Sequence, residues 1–455
     1  MRKLTGEYAN SAYEMTSSNR LGTGLLVAAV VVLVVPLAAS AAMAPTIGGT
    51  DTGDSTDGPR QTLVGSQGGG PGLHEDGSVY LLSGSEMDWR EGSADSYFDV
   101  TMTDDGSVLA GFMHSGYTDC GPYQSPCVHT GYRVIDPSGD DPSVESEFSF
   151  PVRTRKNSEV HDVERLPSGE LVMSDMEHER IFTIRDGEET WEWRASDFYD
   201  APADPTRRDW LHINDVDYIG DDRFLVSVRN ANQLLVVERG EGVVEVINAD
   251  TDDSDDSDCT QFDQLSDTDG DGDVRCGDPD VMDHQHNPQW LGEGAVLVAD
   301  SENNRIIELH RGDDGWETVW TLRQAEGVAF SWPRDADRLA NGNTLVTDSA
   351  NQRIVEVNES GATVWSYRTP LIPYEAERLP AGETVGATLY GSPGDTSEET
   401  EIPVLTTLLQ IVRTSLPIPF WVSELHVGTT ALAVLLGLAG GGVHLSAFVS
   451  NRRRG

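Results

Sequence analysis

From residue 73 to 390 apolar and polar positions alternate in short runs, and the runs are broken by turns built on Gly with Pro, Asn or Asp. No helical period competes there. One pattern returns: "HDVERLPSGELVMSDMEHERIFTIRDGEETWEW" (161–193), "NDVDYIGDDRFLVSVRNANQLLVVERGEGVVEVI" (214–247), "HNPQWLGEGAVLVADSENNRIIELHRGDDGWETVW" (286–320) and "RDADRLANGNTLVTDSANQRIVEVNESGATVWSY" (334–367) align with one another. Weaker copies begin at "FDVTMTDDGSVLAGF" (98–112) and "YEAERLPAGETVGATL" (374–389). Four short antiparallel strands per unit of about 40 residues, repeated around a ring, is how a β-propeller avoids exposed sheet edges. The prediction is an all-β, six-bladed propeller of four-stranded antiparallel blades, with "GSVYLLSG" (77–84) helping to close the ring. The degenerate end copies leave five or seven blades as alternatives.

Two stretches break this pattern. "LGTGLLVAAVVVLVVPLAASAAMA" (21–44) and "LHVGTTALAVLLGLAGGGVHLSAFVS" (425–450) are apolar over lengths that cross a hydrocarbon core of about 30 Å. Arg2, Lys3 and Arg20 precede the first and "NRRRG" follows the second. The positive-inside rule therefore predicts a cell-membrane protein with both termini cytoplasmic and the propeller outside. A cleaved signal peptide is the alternative for the first stretch, and Pro45 directly after Ala44 argues against it. The expected order is a tail (1–20), a membrane helix (21–44), a flexible Gly/Ser/Thr/Asp linker (45–72), the propeller (73–390), a juxtamembrane segment (391–424), a second membrane helix (425–450) and a basic tail (451–455). Gly441, Gly442 and His444 offer small and polar groups for helix packing, snorkelling being the plainer reading.

Charge changes the picture of the solvent. Asp and Glu number 77 against 31 Lys and Arg, a formal charge of -46, and Lys3 and Lys156 are the lysines present. Such a carboxylate surface suits a halophile, since multimolar salt screens self-repulsion within about 3 Å. It excludes nucleic acid as a partner. An exterior location makes disulfides the natural state of the cysteines, and spacing pairs Cys120 with Cys127 and Cys259 with Cys276. The acidic insertion 250–280 contains Asp267, Asp269, Asp271, Gly272, Asp273 and Asp278 at the spacing of a calcium loop. The spacing offers a structural calcium site there, an ordinary solvated acidic loop being the plainer reading.

The repeat also concentrates chemistry. In a propeller the same position of every copy converges on one mouth of the central channel. The opening position is His161, Asn214, His286 and Arg334 in the four strong copies, and two residues earlier stand His212, His284 and Trp332. The following position is an Asp or Asn (Asp99, Asp162, Asp215, Asn287, Asp335), a pattern that suits capping of backbone N–H groups better than catalysis. The "D-S-x-N-x-R-I" element predicts an ion pair in each blade. The second strong copy breaks it, placing Val228 and Gln233 where Asp and Arg stand elsewhere and adding Arg229, a candidate anion clamp. Histidines with one arginine serve either a zinc ion or transfer of an anionic group through an imidazole.

At "VHDVERLPSGELV" (160–172), "HINDVDYIGDDRFLVSVRNANQ" (212–233) and "QHNPQWL" (285–291) the chain resembles the arylsulfate sulfotransferases that work without a nucleotide sulfate donor. The likeness covers about 160–370. It implies an extracytoplasmic six-bladed propeller that moves a sulfuryl group from an aryl sulfate to a phenol. It further implies that His286 is the nucleophile and carries a sulfohistidine, that His161, His212 and Arg229 bind the sulfuryl oxygens, and that no cofactor is required for catalysis. His284, Arg334 and Asn214 are expected as secondary pocket residues. The partners implied are small phenolic and aryl sulfate substrates and the lipid bilayer. The rival readings are a non-catalytic ligand- or protein-binding propeller of the NHL type, suggested by "DSANQRIVEV", and a metal-dependent hydrolase or lyase using the same histidines.

Overall fold

The computed structural model describes residues 2–52, 60–70, 73–138, 141–156, 158–249, 259–260, 264–267, 270, 274–313, 315–391, 403–415 and 418–454. It divides into two compact units, residues 46–399 and the pair of terminal segments 1–45 and 400–455.

The larger unit is a six-bladed β-propeller. Blade 2 runs outward through Ser96–Met102, Val108–Tyr117, Cys127–Asp136 and Ser143–Val152, and blade 3 through Val163–Arg165, Leu171–Asp175, Arg180–Arg185 and Glu188–Arg194. Blade 4 comprises Ile213–Gly220, Arg223–Val228, Gln233–Glu238 and Gly242–Ile247; blade 5 comprises His286–Gly292, Ala295–Asp300, Arg305–Arg311 and Trp316–Leu322. Blade 6 comprises Pro333–Arg338, Thr344–Asp348, Arg353–Val357 and Thr363–Arg368. Blade 1 closes the ring. Its innermost strand is Ile372–Leu379, and Gln61–Gly68, Ser78–Ser83 and Glu86–Glu91 follow outward. The first strands of successive blades touch one another around a closed circle.

Each blade interface has its own apolar cluster, such as Leu166, Trp210, Val226 and Leu235 between blades 3 and 4, and Leu297, Trp320, Val346 and Val355 between blades 5 and 6. Sheet faces packed in this way bury the alternating positions on both sides, the condition for a propeller core. The repeated Asp–Arg element forms the expected ion pairs: Asp175–Arg180 at 2.8 Å, Asp300–Arg305 at 2.5 Å and Asp348–Arg353 at 2.7 Å. Cys120–Cys127 and Cys259–Cys276 are disulfide-bonded.

The segment 45–72 is not a linker throughout. The Ser366 N–H donates to Thr50 O and the Thr52 N–H to Val364 O, so the chain here lies along the outer strand of blade 6. Gln61–Gly68 then enters blade 1, pairing Leu63 with Glu377 and Val64 with Ala376. The propeller starts before residue 73 because a strand with neighbours on both edges and both faces needs no alternation, and "QTLVGSQG" shows none.

In the smaller unit, helices span Arg2–Met43, Pro403–Ser415 and Glu424–Arg454. Asn19–Met43 and Glu424–Val449, with mean hydropathy 2.7 and 1.9, are long and apolar enough to cross a membrane. The two long helices meet at small residues. A Cβ on Gly22 would stand 2.8 Å from the His444 ring, and one on Gly440 would stand 2.9 Å from Gly22 O. Gly441 and Gly442 face open space. His444 is thus a packing residue, its Nε2 3.4 Å from Thr23 Oγ1.

Candidate active site

At the start of the innermost strand the ladder carries an extra residue in several blades. The register skips between Ile213 and Asp215, His286 and Gln289, Pro333 and Asp335, and Tyr97 and Val100. Such bulges re-aim side chains that strict alternation would send to opposite faces. The six opening positions are Phe98, His161, Asn214, His286, Arg334 and Tyr374, and all are buried.

Their rings interlock. His161 stacks on Tyr374 with centroids 5.3 Å apart and on His212 at 5.4 Å, while Phe98 meets it edge-on at 4.9 Å. His286 lies edge-on to Tyr374 and to Trp332, each at 6.2 Å. The Arg334 guanidinium covers Trp332 at 3.8 Å and stands 5.1 Å from Tyr374. It donates to Gln67 Oε1, and its buried Nε has no partner.

The tautomer of His286 follows from its neighbours. Ser301 Oγ lies 2.7 Å from Pro333 O, to which its hydroxyl donates, and 2.8 Å from His286 Nδ1. His284 O is a second acceptor 3.2 Å from Nδ1. Nδ1 therefore carries the proton and the lone pair resides on Nε2. Burial, reinforced by the charges of Arg334 and Arg229 and then by His212 and His161, holds the His286 pKa well below 6.5. Burial likewise lowers that of His161, whose Nδ1 lacks a partner. Both rings are neutral at pH 7.

His212, His284 and Trp332 occupy equivalent left-handed turns, with φ of 57°, 49° and 53°. Each N–H is capped by a side chain of the preceding blade: Glu179 at 2.7 Å, Asn232 at 3.0 Å and Asn304 at 2.9 Å. The half-buried His212 and His284 each direct Nδ1 to a carboxylate, Asp209 at 2.7 Å and Asp283 respectively. Arg229 lies beside them, its N–H on His212 O and its Nη1 2.8 Å from Asn230 Oδ1.

The fold thus brings together His161, His212, Asn214, Arg229, His284, His286 and Arg334. Four neighbours of these residues are not singled out in the sequence pattern: Tyr374, Ser301 and the buried pair of Glu159 with His74 at 3.1 Å. Burial opposes the Glu159 charge, but hydrogen bonding to His74 and the charges of His74, His161 and His212 hold its pKa at about 2. Tyr374 was available as the opening residue of the last repeat. Among the described residues, the group of His, Cys, Asp or Glu donors close enough to share an ion is Asp162, Asp215 and Asp217, so the three histidines do not form a zinc set. Of the calcium-loop residues, Asp269, Asp271 and Asp273 lie outside the described residues, as does Gly272. Asp267 accepts the Gly270 N–H and Asp278 the Asp280 N–H.

Residues 132–311 match the arylsulfotransferase (ASST) family. The match spans His161, His212, Arg229 and His286; Arg334 and Tyr374 lie beyond it. It supports a function of the arylsulfotransferase type, with small aryl compounds as substrates. No curated protein matches the chain. Among solved structures, a protein of unknown function from Bacteroides caccae is 13% identical, with 70% of this chain and 98% of that one covered at a TM-score of 0.44. A periplasmic gluconolactonase of Pseudomonas aeruginosa is 12% identical, with 70% and 99% covered at 0.39. Virginiamycin B lyase from Staphylococcus aureus is 11% identical, with 60% and 70% covered at 0.35.

Proposed function

We propose that the protein is an outward-facing, membrane-anchored aryl sulfotransferase in which His286 Nε2 attacks the sulfur of an aryl sulfate. The supporting observation is the fixed tautomer of His286, whose Nε2 lone pair stands in a field set by Arg334 and Arg229. In the first half-reaction the N–S bond forms as the S–O(aryl) bond breaks, and the bonding pair leaves on the phenolate. In the second, a phenol oxygen attacks sulfur, the N–S bond breaks, and His286 returns neutral. His212, fixed by Asp209 through Nδ1, keeps Nε2 for delivering a proton to the departing phenolate and taking one from the acceptor. The guanidiniums neutralise charge on the transferred oxygens, which is most of what such a transfer asks of a protein. The two apolar helices supply the anchor, with both termini cytoplasmic. Incubation with nitrophenyl sulfate in molar salt, followed by intact-mass measurement, tests the reading: a chain that gains one acid-labile SO₃ group supports it, and an unmodified, inert chain favours a binding propeller.

The pH dependence carries a sign. Because the His286 pKa is lowered, Nε2 stays unprotonated as pH falls through 6.5, and attack fails only below the lowered value. In a pre-steady-state measurement of nitrophenol release, kcat/KM should stay level from pH 7.5 to about 6. A midpoint at the ordinary imidazole value would contradict this.

Ser301→Ala leaves Nδ1 with His284 O alone. Losing a hydrogen bond worth roughly 1 kcal/mol should lower kcat about fivefold with KM little changed. Ser301→Thr should restore it, since the hydroxyl returns. Equal loss in both variants would point to packing rather than tautomer control.

A further inference from the structure

Beyond the opening positions, deeper in the central channel, the innermost strands carry two tiers of carboxylates and amides. Each tier serves mostly to clip one blade to the next. In the first, Asp99 accepts the Val163 N–H at 3.2 Å, Asp162 the Val216 N–H at 2.6 Å and Asp335 the Ala376 N–H at 3.0 Å. In the second, Glu164 accepts from Tyr218, Glu377 from Met102 and Gln289 from Arg338.

Blade 4 breaks both rules. By the same geometry Asp215 would accept the N–H of residue 288, but that residue is Pro288, which has none. Asp217 stands in the second tier, where the clipping residues are Glu or Gln; its side chain is one methylene shorter. The consequence is visible: Asp215 Oδ2 and Asp217 Oδ2 are buried with no hydrogen-bond partner, and Asp215 is 6% exposed. The neighbouring ring position, Asn287, is 9% exposed and also leaves its Oδ1 unpartnered. Unsatisfied buried oxygens of this kind cost about 1–3 kcal/mol each, more when charged.

We propose that Asp162, Asp215 and Asp217 hold a calcium ion in the central channel, at the place where Pro288 takes away the backbone partner of Asp215. One oxygen from each lies within 4.8 Å of the others. That is the span bridged by an ion with Ca–O distances of about 2.4 Å. One oxygen of Asp162 accepts the Val216 N–H, so this carboxylate is also fixed to the first strand of blade 4. The ion gives the two unpartnered oxygens of blade 4 a partner and ties them to Asp162 at the start of blade 3, and it offsets the repulsion of carboxylates gathered in the channel. The site uses no residue of the acidic insertion and none of the histidines.

The test uses the full chain in detergent and molar NaCl, stripped on a chelating resin and re-equilibrated with micromolar calcium. Bound metal is read by elemental analysis and stability by thermal melting. The parent should retain one more calcium per chain than Asp215→Asn/Asp217→Asn, whose binding should be at least about tenfold weaker. Calcium should raise the melting temperature of the parent and of Asp269→Asn/Asp271→Asn, but not of the channel variant. In chelator the channel variant should melt at or above the parent, because like charges are gone. Pro288→Ala gives Asp215 an N–H and should also weaken binding; it decides the matter if the double variant fails to fold. Equal calcium in parent and channel variants overturns the proposal, as does a calcium effect lost only with the insertion substitutions.

Discussion

His286→Ala should abolish sulfuryl transfer from nitrophenyl sulfate, lowering kcat/KM by about 10³-fold or more, because it removes the buried, neutral imidazole whose Nε2 attacks sulfur in the field of Arg334 and Arg229. The parent should show ping-pong kinetics and accumulate one SO₃ adduct when the acceptor phenol is withheld. The variant should show neither, although it still binds the aryl sulfate through Arg229 and Arg334. Folding is a separate question that the same preparation answers. The buried imidazole packs edge-on against Trp332 and Tyr374, and its removal leaves a small cavity inside a ring closed by six blade interfaces. The melting temperature should fall by only a few degrees. If an adduct persists in His286→Ala, another residue is the nucleophile. His161 is the candidate, because it too is buried and neutral with an unpartnered nitrogen.

Much of this pocket was legible because a propeller converts repeat position into place. Reading one column of the aligned copies gave His161, Asn214, His286 and Arg334, and the structure seats that column around the channel mouth. The same column continues into Phe98 and Tyr374, but a scan for polar chemistry passes over aromatics, and Tyr374 is the ring on which His161 stacks. Ser301 was hidden for a different reason. It lies in the D-S-x-N turn whose Asp and Arg form an ion pair in each intact copy, so its hydroxyl looked like part of a structural motif. Its contact with His286 joins residues 15 apart in sequence that only the first hairpin of blade 5 brings together. The ring closure was half seen. Six copies gave six blades, yet Gln61–Gly68, the second strand of blade 1, falls within the expected linker, because a strand buried on both faces and poor in apolar residues carries no alternation. Pro288 illustrates the converse: its meaning depends on a partner in another blade, and no local pattern reports a missing donor.

Arg334→Met should lower kcat by about 10²–10³-fold, the cost of removing one preorganised charge from a transferred oxyanion. The guanidinium is buried, its surroundings are mostly aromatic, its Nε has no partner, and Gln67 is a neutral acceptor. Burial lowers its pKa to about 10, so it remains charged at pH 7. A buried cation without a matching carboxylate is a liability to the fold and an asset to a site that receives an anion. The two roles move in opposite directions on substitution. Methionine fills the space between Trp332 and Tyr374 without the desolvation cost, so the melting temperature should hold or rise while turnover collapses. Arg229 is half-buried and already bonded to Asn230, so Arg229→Lys, which keeps charge but loses the planar fork, should cost about tenfold. Added inorganic sulfate should raise the melting temperature of the parent at constant ionic strength and leave Arg334→Met unmoved. If Arg334→Met instead melts lower and keeps its turnover, the guanidinium is a packing element and the sulfuryl oxygens are held by Arg229 and the histidines alone.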